Sequence, residues 1–251
     1  MTNHQCLFRR IVIVIQLAIV IPMCLIPLGG AAAERLQQPK VSSDPIALYG
    51  NEIYFDVVRD GKRAGWHHVV FTRNGSELIV TSRFNLQIDF LFFTAFRYFY
   101  ESEERWLNNQ LEGLTVRVND DGAVLTFQKI RDGNKMMIMR DGEENFIDEP
   151  LYPTNHWNAD VLTQSRVLNT LTGKTNRVTI RSAGRDTVAT ERGELMATRY
   201  VYSGELVTEV WYDDSHRWVK MRFAGRDGST IEYICRRCQG GPVTETLNDK
   251  P

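Results

Sequence analysis

Catalytic raw material is scarce in this chain. Of its 251 residues, four are cysteine and five histidine. No Gly-x-Ser-x-Gly stretch occurs, so no nucleophile elbow can supply a Ser-His-Asp relay. The phosphate-binding folds are excluded because no glycine-rich loop opens a helix after a strand. Basic residues do not outnumber acidic ones, 30 against 31, so the electrostatic footprint of a nucleic-acid binder is missing. There is no strand–helix–strand alternation, and hence no parallel α/β architecture. Asn119-Asp120-Asp121-Gly122 begins like a calcium loop but lacks the later ligands and the closing glutamate, and reads as a hairpin turn. No motif implies a cofactor.

What is present begins with an export leader. Arg9-Arg10 form a positive n-region, residues 11–28 an apolar core, and Ala31-Ala32-Ala33 a small-residue cleavage site. Pro22, Pro27 and Gly29-Gly30 interrupt the apolar run, favouring a cleaved signal over a membrane anchor. Cys24 lacks the preceding small residues of a lipoprotein signal, and Arg9-Arg10 lack the surrounding pattern of a twin-arginine signal. A periplasmic protein with no stable transmembrane anchor is expected. The expected organisation is signal peptide 1–33, flexible lead-in 34–45, one β-rich domain 46–238 and a disordered tail 239–251.

The leader carries two of the 30 basic residues and no acidic ones, so its loss takes the net charge from −1 to −3. Cys6 and Cys24 leave with it. Cys235 and Cys238 remain, and in an oxidising compartment this close pair is expected to form one internal disulfide, with a redox or metal-binding pair as the alternative. A zinc site would need two more Cys or His ligands, and the sequence offers no second pair.

From Gly50 onward the punctuation is that of an antiparallel meander. Asp60-Gly61, Asn74-Gly75, Asp121-Gly122, Asp132-Gly133, Asp141-Gly142 and Asp227-Gly228 are turn dipeptides that tolerate positive φ. Between them lie runs rich in Val, Ile, Thr, Tyr and Phe. Ile53, Phe55 and Val57 alternate with Glu52, Tyr54 and Asp56, giving one apolar and one wetter face. About eleven such runs predict a mainly β fold, a large curved antiparallel sheet or open half-barrel.

One stretch reads differently. Asn158 is placed as an N-cap, Asp160 falls in the first turn, and Val161, Leu162, Ser165 and Leu168 recur at helical spacing before Thr172-Gly173. This predicts a single amphipathic helix between two sets of strands, plugging or lidding the concave face.

Two features are candidate sites. Seven of the eleven residues from Phe90 to Tyr100 are aromatic; Phe90, Phe92, Phe93, Phe96 and Tyr98 are either core or the lining of an apolar pocket. His156-Trp157, at the mouth of the expected helix, is either a wedge in the sheet or part of that lining. His67 and His68 on one strand point to opposite faces and cannot act together. His216 lies in a turn. Glu101 and Glu103 share a strand face, which reads as a solvated one.

Tyr100, Glu104 and Trp106 with Leu111-Glu112-Gly113-Leu114 form one block, Pro153 to Asn158 with Leu168 to Gly173 a second, and Trp211-Tyr212-Asp213 with Trp218-Val219-Lys220 a third. Together they resemble a family of exported proteobacterial proteins known only as domain of unknown function 6134, over roughly residues 50–235. The chain departs from that pattern in carrying His156 where an aromatic such as tyrosine is expected, and Cys235 and Cys238 look like a local addition. The resemblance implies location and fold. Its strand succession is similar to that of the periplasmic lipoprotein carriers, which hold acyl chains in a curved half-barrel. The leading expectation is therefore a non-enzymatic protein binding a lipid or other apolar ligand. An envelope protein–protein interaction or structural module comes next, and an enzyme using His156 third.

Overall fold

A computed structural model describes residues 44–90, 93–133, 135–140, 143–147 and 151–240. Helix α1 (Pro45–Tyr49) comes first, with proline in its first turn and Asp44 as cap, Oδ1 accepting the Ile46 N–H at 3.1 Å. Fifteen strands follow: β1 (Glu52–Arg59), β2 (Lys62–Asn74), β3 (Glu77–Phe90), β4 (Phe93–Leu107), β5 (Gln110–Asp120), β6 (Ala123–Asp132), β7 (Lys135–Arg140), β8 (Glu143–Ile147), β9 (Tyr152–Pro153), β10 (Arg166–Leu168), β11 (Thr175–Thr190), β12 (Gly193–Gly204), β13 (Thr208–Asp213), β14 (Trp218–Ala224) and β15 (Thr230–Arg237). All belong to one sheet, ordered β8-β7-β6-β5-β4-β3-β2-β1-β15-β14-β13-β12-β11-β10-β9. Every pairing is antiparallel except β9 with β10. No helix among the described residues is long and apolar enough to cross a membrane.

The first and last strands pair at the centre of the sheet, Val57 opposite Tyr233. Each end therefore grows outward as a meander, and the two edges, β8 and β9, are consecutive in sequence. Five residue steps from Ile147 to Tyr152 span at most about 17 Å. The sheet must curl until its edges nearly meet, yet they do not pair, and it stays open. Bulges at Val57/Val58, Ile88/Asp89, Arg105/Trp106 and Ser182/Arg185 supply the bend.

The turn dipeptides fall where the sequence places them. Asp60, Gly61, Gly75, Asp121, Gly122, Gly133 and Gly228 all have positive φ, and Asp141-Gly142 lies outside the described residues. Two expectations are corrected. Among the described residues the strands number fifteen rather than eleven, because the short strands β7 to β10 lie in stretches with little alternation. The expected amphipathic helix is a five-residue 3-10 turn, Ala159–Thr163, followed by strand β10. Its cap is nonetheless the expected one, Asn158 Oδ1 accepting the Asp160 N–H at 3.0 Å. The helix stops because Arg166–Leu168 satisfy their backbone groups by pairing with both β11 and β9. Val167 and Leu168 are thereby fully buried, which a surface helix would not have achieved.

The core is the concave face. Along β4 the inward phase is Phe96, Tyr98, Tyr100, Ser102, Glu104 and Trp106, passing from half-buried to buried. On β1 it is Ile53, Phe55 and Val57, all with no exposed area. His67 faces in and is buried; His68 faces out and meets Glu52 at 2.6 Å.

Candidate functional site

Antiparallel connectivity gives the curled sheet two ends. At one lie α1 and the turns after β2, β4, β6, β11 and β13; at the other lie the turns after β1, β3, β5, β7, β12 and β14. The first end is closed from within. After Pro153 the chain leaves the β9 edge and enters the bowl as Asn155-His156-Trp157, each residue at most 5% exposed. Asn155 Oδ1 accepts the Tyr100 hydroxyl at 2.9 Å and the Thr170 hydroxyl at 3.3 Å. Its amide donates to Ser102 Oγ at 3.3 Å and to Glu104 Oε1. Glu104 Oε2 also accepts the indole N–H groups of Trp106 at 2.7 Å and Trp157 at 3.1 Å. Main-chain oxygens are held too, that of His156 by the Tyr212 hydroxyl at 2.7 Å and that of Trp157 by the Tyr49 hydroxyl at 3.1 Å. The Trp157 ring wedges between Phe71 and Trp106, with centroids 5.7 and 5.3 Å away.

Glu104 is the centre of this plug. Burial pushes its carboxyl up to about 7, against which the three donated N–H groups pull it back. His156 sits at φ 56°, the left-handed region, with its ring between Tyr202 and Trp218. Neither ring nitrogen of His156 or of His67 has a hydrogen-bond partner, and burial drives both imidazoles down to about 3, so both are neutral. His67 also feels His156, so the two rings are electrostatic neighbours. A chain of ring contacts runs from this point toward the other end: His156–Trp218 at 5.7 Å, Trp218–Tyr233 at 5.7 Å, Tyr233–Phe84 at 5.9 Å and Phe84–Tyr98 at 5.9 Å.

The second end is open. The apolar side chains there are half-buried: Phe96 and Tyr98 on β4, Leu125 on β6, Ile180 on β11, Leu206 in the turn after β12, Met221 and Phe223 on β14. Arg226, in the turn before β15, forms an ion pair with Asp120 at the end of β5. The two residues lie on strands well separated in sheet order, so this contact crosses the mouth. On the outer face of β3 to β5, near this end, a cavity of about 340 Å³ is lined by Asn85, Arg97, Tyr98, Phe99, Asn119, Asp121 and Gly122.

Of the residues singled out in sequence, Phe96 and Tyr98 meet at the open rim, while His156 and Trp157 belong to the plug. Phe92 and the side chains of Phe90 and Phe93 lie outside the described residues. Cys235 and Cys238 are bonded to each other. Glu104 and Asn155 are functional positions that the sequence does not single out. The signal for Glu104 was its phase, two residues from Trp106 and four from Tyr100 on the buried face.

The domain of unknown function DUF6134 matches residues 55–236. The chain belongs to the DUF6134 family. No curated protein matches it. Among solved structures, this DUF6134 chain is similar to a beta-barrel-like protein of domain of unknown function DUF1849 from Brucella abortus. The identity is 9%, the TM-score 0.54, and the match covers 76% of this chain and 97% of the other. That likeness is one of fold.

Lys129 stands apart. It is on the buried phase of β6, two residues past Phe127, with no exposed area and no partner for its amine, and burial lowers its pKa to about 7. Because the unfolded chain holds this proton up to its ordinary value of 10.5, stability should rise with pH from about 7 to 10 on account of this group. Lys129→Met should raise the thermal midpoint at pH 7 by roughly 5 °C, with the gain shrinking at pH 9–10. Scanning calorimetry at both pH values checks this; an unchanged or lowered midpoint at pH 7 would refute it.

Proposed function

We propose that this protein binds an apolar, lipid-like ligand at the open end of the curved sheet. The observation that carries the reading is the contrast between the two ends. One is filled and hydrogen-bonded by the protein's own Asn155-His156-Trp157, while the other leaves Phe96, Tyr98, Ile180, Leu206, Met221 and Phe223 only half covered around one mouth. Half-covered apolar side chains facing inward are the lining a ligand pocket needs. The Arg226–Asp120 pair across the mouth would act as its latch. In this reading the expected lid is replaced by an internal plug, and Trp157 supports the pocket floor from below. The leader-like first 33 residues support a periplasmic location.

The test is native mass spectrometry on protein purified without detergent, followed by organic extraction and binding of a fluorescent fatty acid. Phe96→Ser and Phe223→Ser should weaken probe binding about tenfold or more, the equivalent of 1.4 kcal/mol. Their thermal midpoints should stay within a few degrees of the parent. A ligand-free mass together with probe affinity indifferent to both changes would sink the proposal.

A second reading, a protein–protein interaction module, is favoured by one feature of the outer surface. Ile130, Met137 and Phe146 stand in register across β6, β7 and β8. Phe146 is 53% exposed and Ile130 45%, and the row ends at the sheet's edge strand. Crosslinking in cells that responds to Phe146→Lys but not to Phe96→Ser would favour it.

A further inference from the structure

At the closed end the last strand runs out through Cys235 and bends at Cys238, and the two sulfurs are bonded. Both cysteines are buried. The turn between β11 and β12 lays Glu191 over them from the solvent side. Glu191 Oε1 accepts the main-chain N–H groups of Cys238 at 3.0 Å and Gln239 at 3.1 Å. That leaves Oε2 aimed at the sulfurs, 2.7 Å from Cys235 Sγ and 3.6 Å from Cys238 Sγ.

A disulfide sulfur has no proton to donate. The bonded pair therefore gives the anionic oxygen nothing in return for this approach. The same arrangement is complementary to the reduced pair, in which a thiol or a shared cation lies between sulfur and oxygen. The three ligand atoms, two sulfurs and one carboxylate oxygen, lie within 4.8 Å of one another. Donors around a tetrahedral ion with metal–sulfur bonds near 2.3 Å and metal–oxygen bonds near 2.1 Å stand about 3.6–3.8 Å apart, a spacing the sulfurs reach once their bond is broken.

We propose that Cys235 and Cys238, when reduced, form with Glu191 a binding site for a thiophilic divalent cation of the zinc class. Two thiolates select a soft or borderline ion over magnesium or calcium. Two amides fix the carboxylate, so it does not have to be ordered on binding. Glu191 is exposed while the cysteines are not, so the ion enters from the Glu191 side and keeps a fourth position for water. The sulfurs and carboxylate carry one negative charge more than the ion neutralises. Arg192 and Arg217, which bond the main-chain oxygens of Gly240 and Gln239, bring positive charge to that segment.

The bonded and metal-bound forms are related by balanced steps. An external dithiol breaks the Cys235–Cys238 bond, leaves as its own disulfide and releases two protein thiols. The ion then displaces one proton from each thiol, and the ionised carboxylate adds without losing one.

The experiment is a cadmium titration of the full-length chain carrying Cys6→Ser and Cys24→Ser, reduced with a phosphine, and followed by thiolate-to-cadmium charge-transfer absorption. One equivalent should bind to the reduced protein and none to the oxidised protein. Cys238→Ser should abolish the band. Glu191→Gln, which keeps the acceptor for the two amides, should retain the band and weaken binding about tenfold or more. Absence of a band after reduction overturns the proposal, as does a pair that cannot be reduced in the folded chain. So does a Glu191→Gln affinity equal to the parent's, or binding that survives Cys238→Ser.

Discussion

Glu104→Ala is expected to lower the thermal midpoint by about 10 °C or more, the largest effect of any single side chain in the plug. The removed carboxylate accepts from three buried donors, the indoles of Trp106 and Trp157 and the amide of Asn155. Truncation would strand all three without water. A stranded buried donor costs about 1–3 kcal/mol, and the three are coupled through one acceptor, so the sum is about 3–5 kcal/mol. For a domain of this size each kcal/mol moves the midpoint by about 2–4 °C. Glu104→Gln keeps one acceptor oxygen and the volume and should cost less than half as much.

The charge state of Glu104 gives the comparison a second axis. Its carboxyl sits near 7 in the fold, raised from 4.5, so the folded chain binds more protons than the unfolded chain between those values. Its stabilising contribution is therefore complete below pH 4.5 and is lost as pH rises through 7. Denaturant unfolding at pH 5 and pH 8 should show the parent losing this increment and Glu104→Gln not. A midpoint for Glu104→Ala within about 3 °C of the parent would mean that the plug is not held through this carboxylate.

Much of this architecture was legible in the sequence because it is written locally. Asp-Gly and Asn-Gly pairs place the hairpins, since few other residues accept the positive φ those turns demand. The alternation of Ile53, Phe55 and Val57 gives the buried phase directly. The stretch after Asn158 was misread for a physical reason. Val161, Leu162 and Leu168 fit a helical stripe, but what decides their conformation is not their spacing. It is the otherwise unpaired edges of β9 and β11, which offer backbone partners that a helix would leave unused. The plug was half legible. Asn155-His156-Trp157 stood out as polar and aromatic residues after a proline, while the partners that give them meaning, Tyr100, Ser102 and Glu104, are some fifty residues earlier. Glu104 betrayed itself only by phase, a carboxylate on a face otherwise built of Tyr100, Ser102 and Trp106.

The same phase argument applies to the histidines and leads to the second large effect, a steep loss of stability in acid. His67 and His156 are neutral in the fold, with values near 3 against an ordinary 6.5. For each, the unfolded chain binds a proton that the folded chain refuses. Stability from these groups is therefore complete above pH 6.5 and falls as pH drops toward 3. Between 6.5 and 4.5 Glu104 opposes them, because there the folded chain binds the extra proton. The net difference is one proton, or about 1.4 kcal/mol per pH unit. Below 4.5 Glu104 is protonated in both states and the two imidazoles act unopposed, so the slope doubles to about 2.7 kcal/mol per unit. The acid transition should consequently be sharp and lie below pH 4.5, not near 6. His67→Phe tests the cause. The ring contacts Phe84, Trp218 and Tyr233 edge-on, and its nitrogens hold no hydrogen bond that phenylalanine would forfeit. The substitution should move the midpoint of acid unfolding, followed by near-ultraviolet circular dichroism, down by roughly half a pH unit or more. A midpoint that stays in place would remove His67 as a source of the acid sensitivity and leave His156, strained and buried beside it, to carry the whole slope.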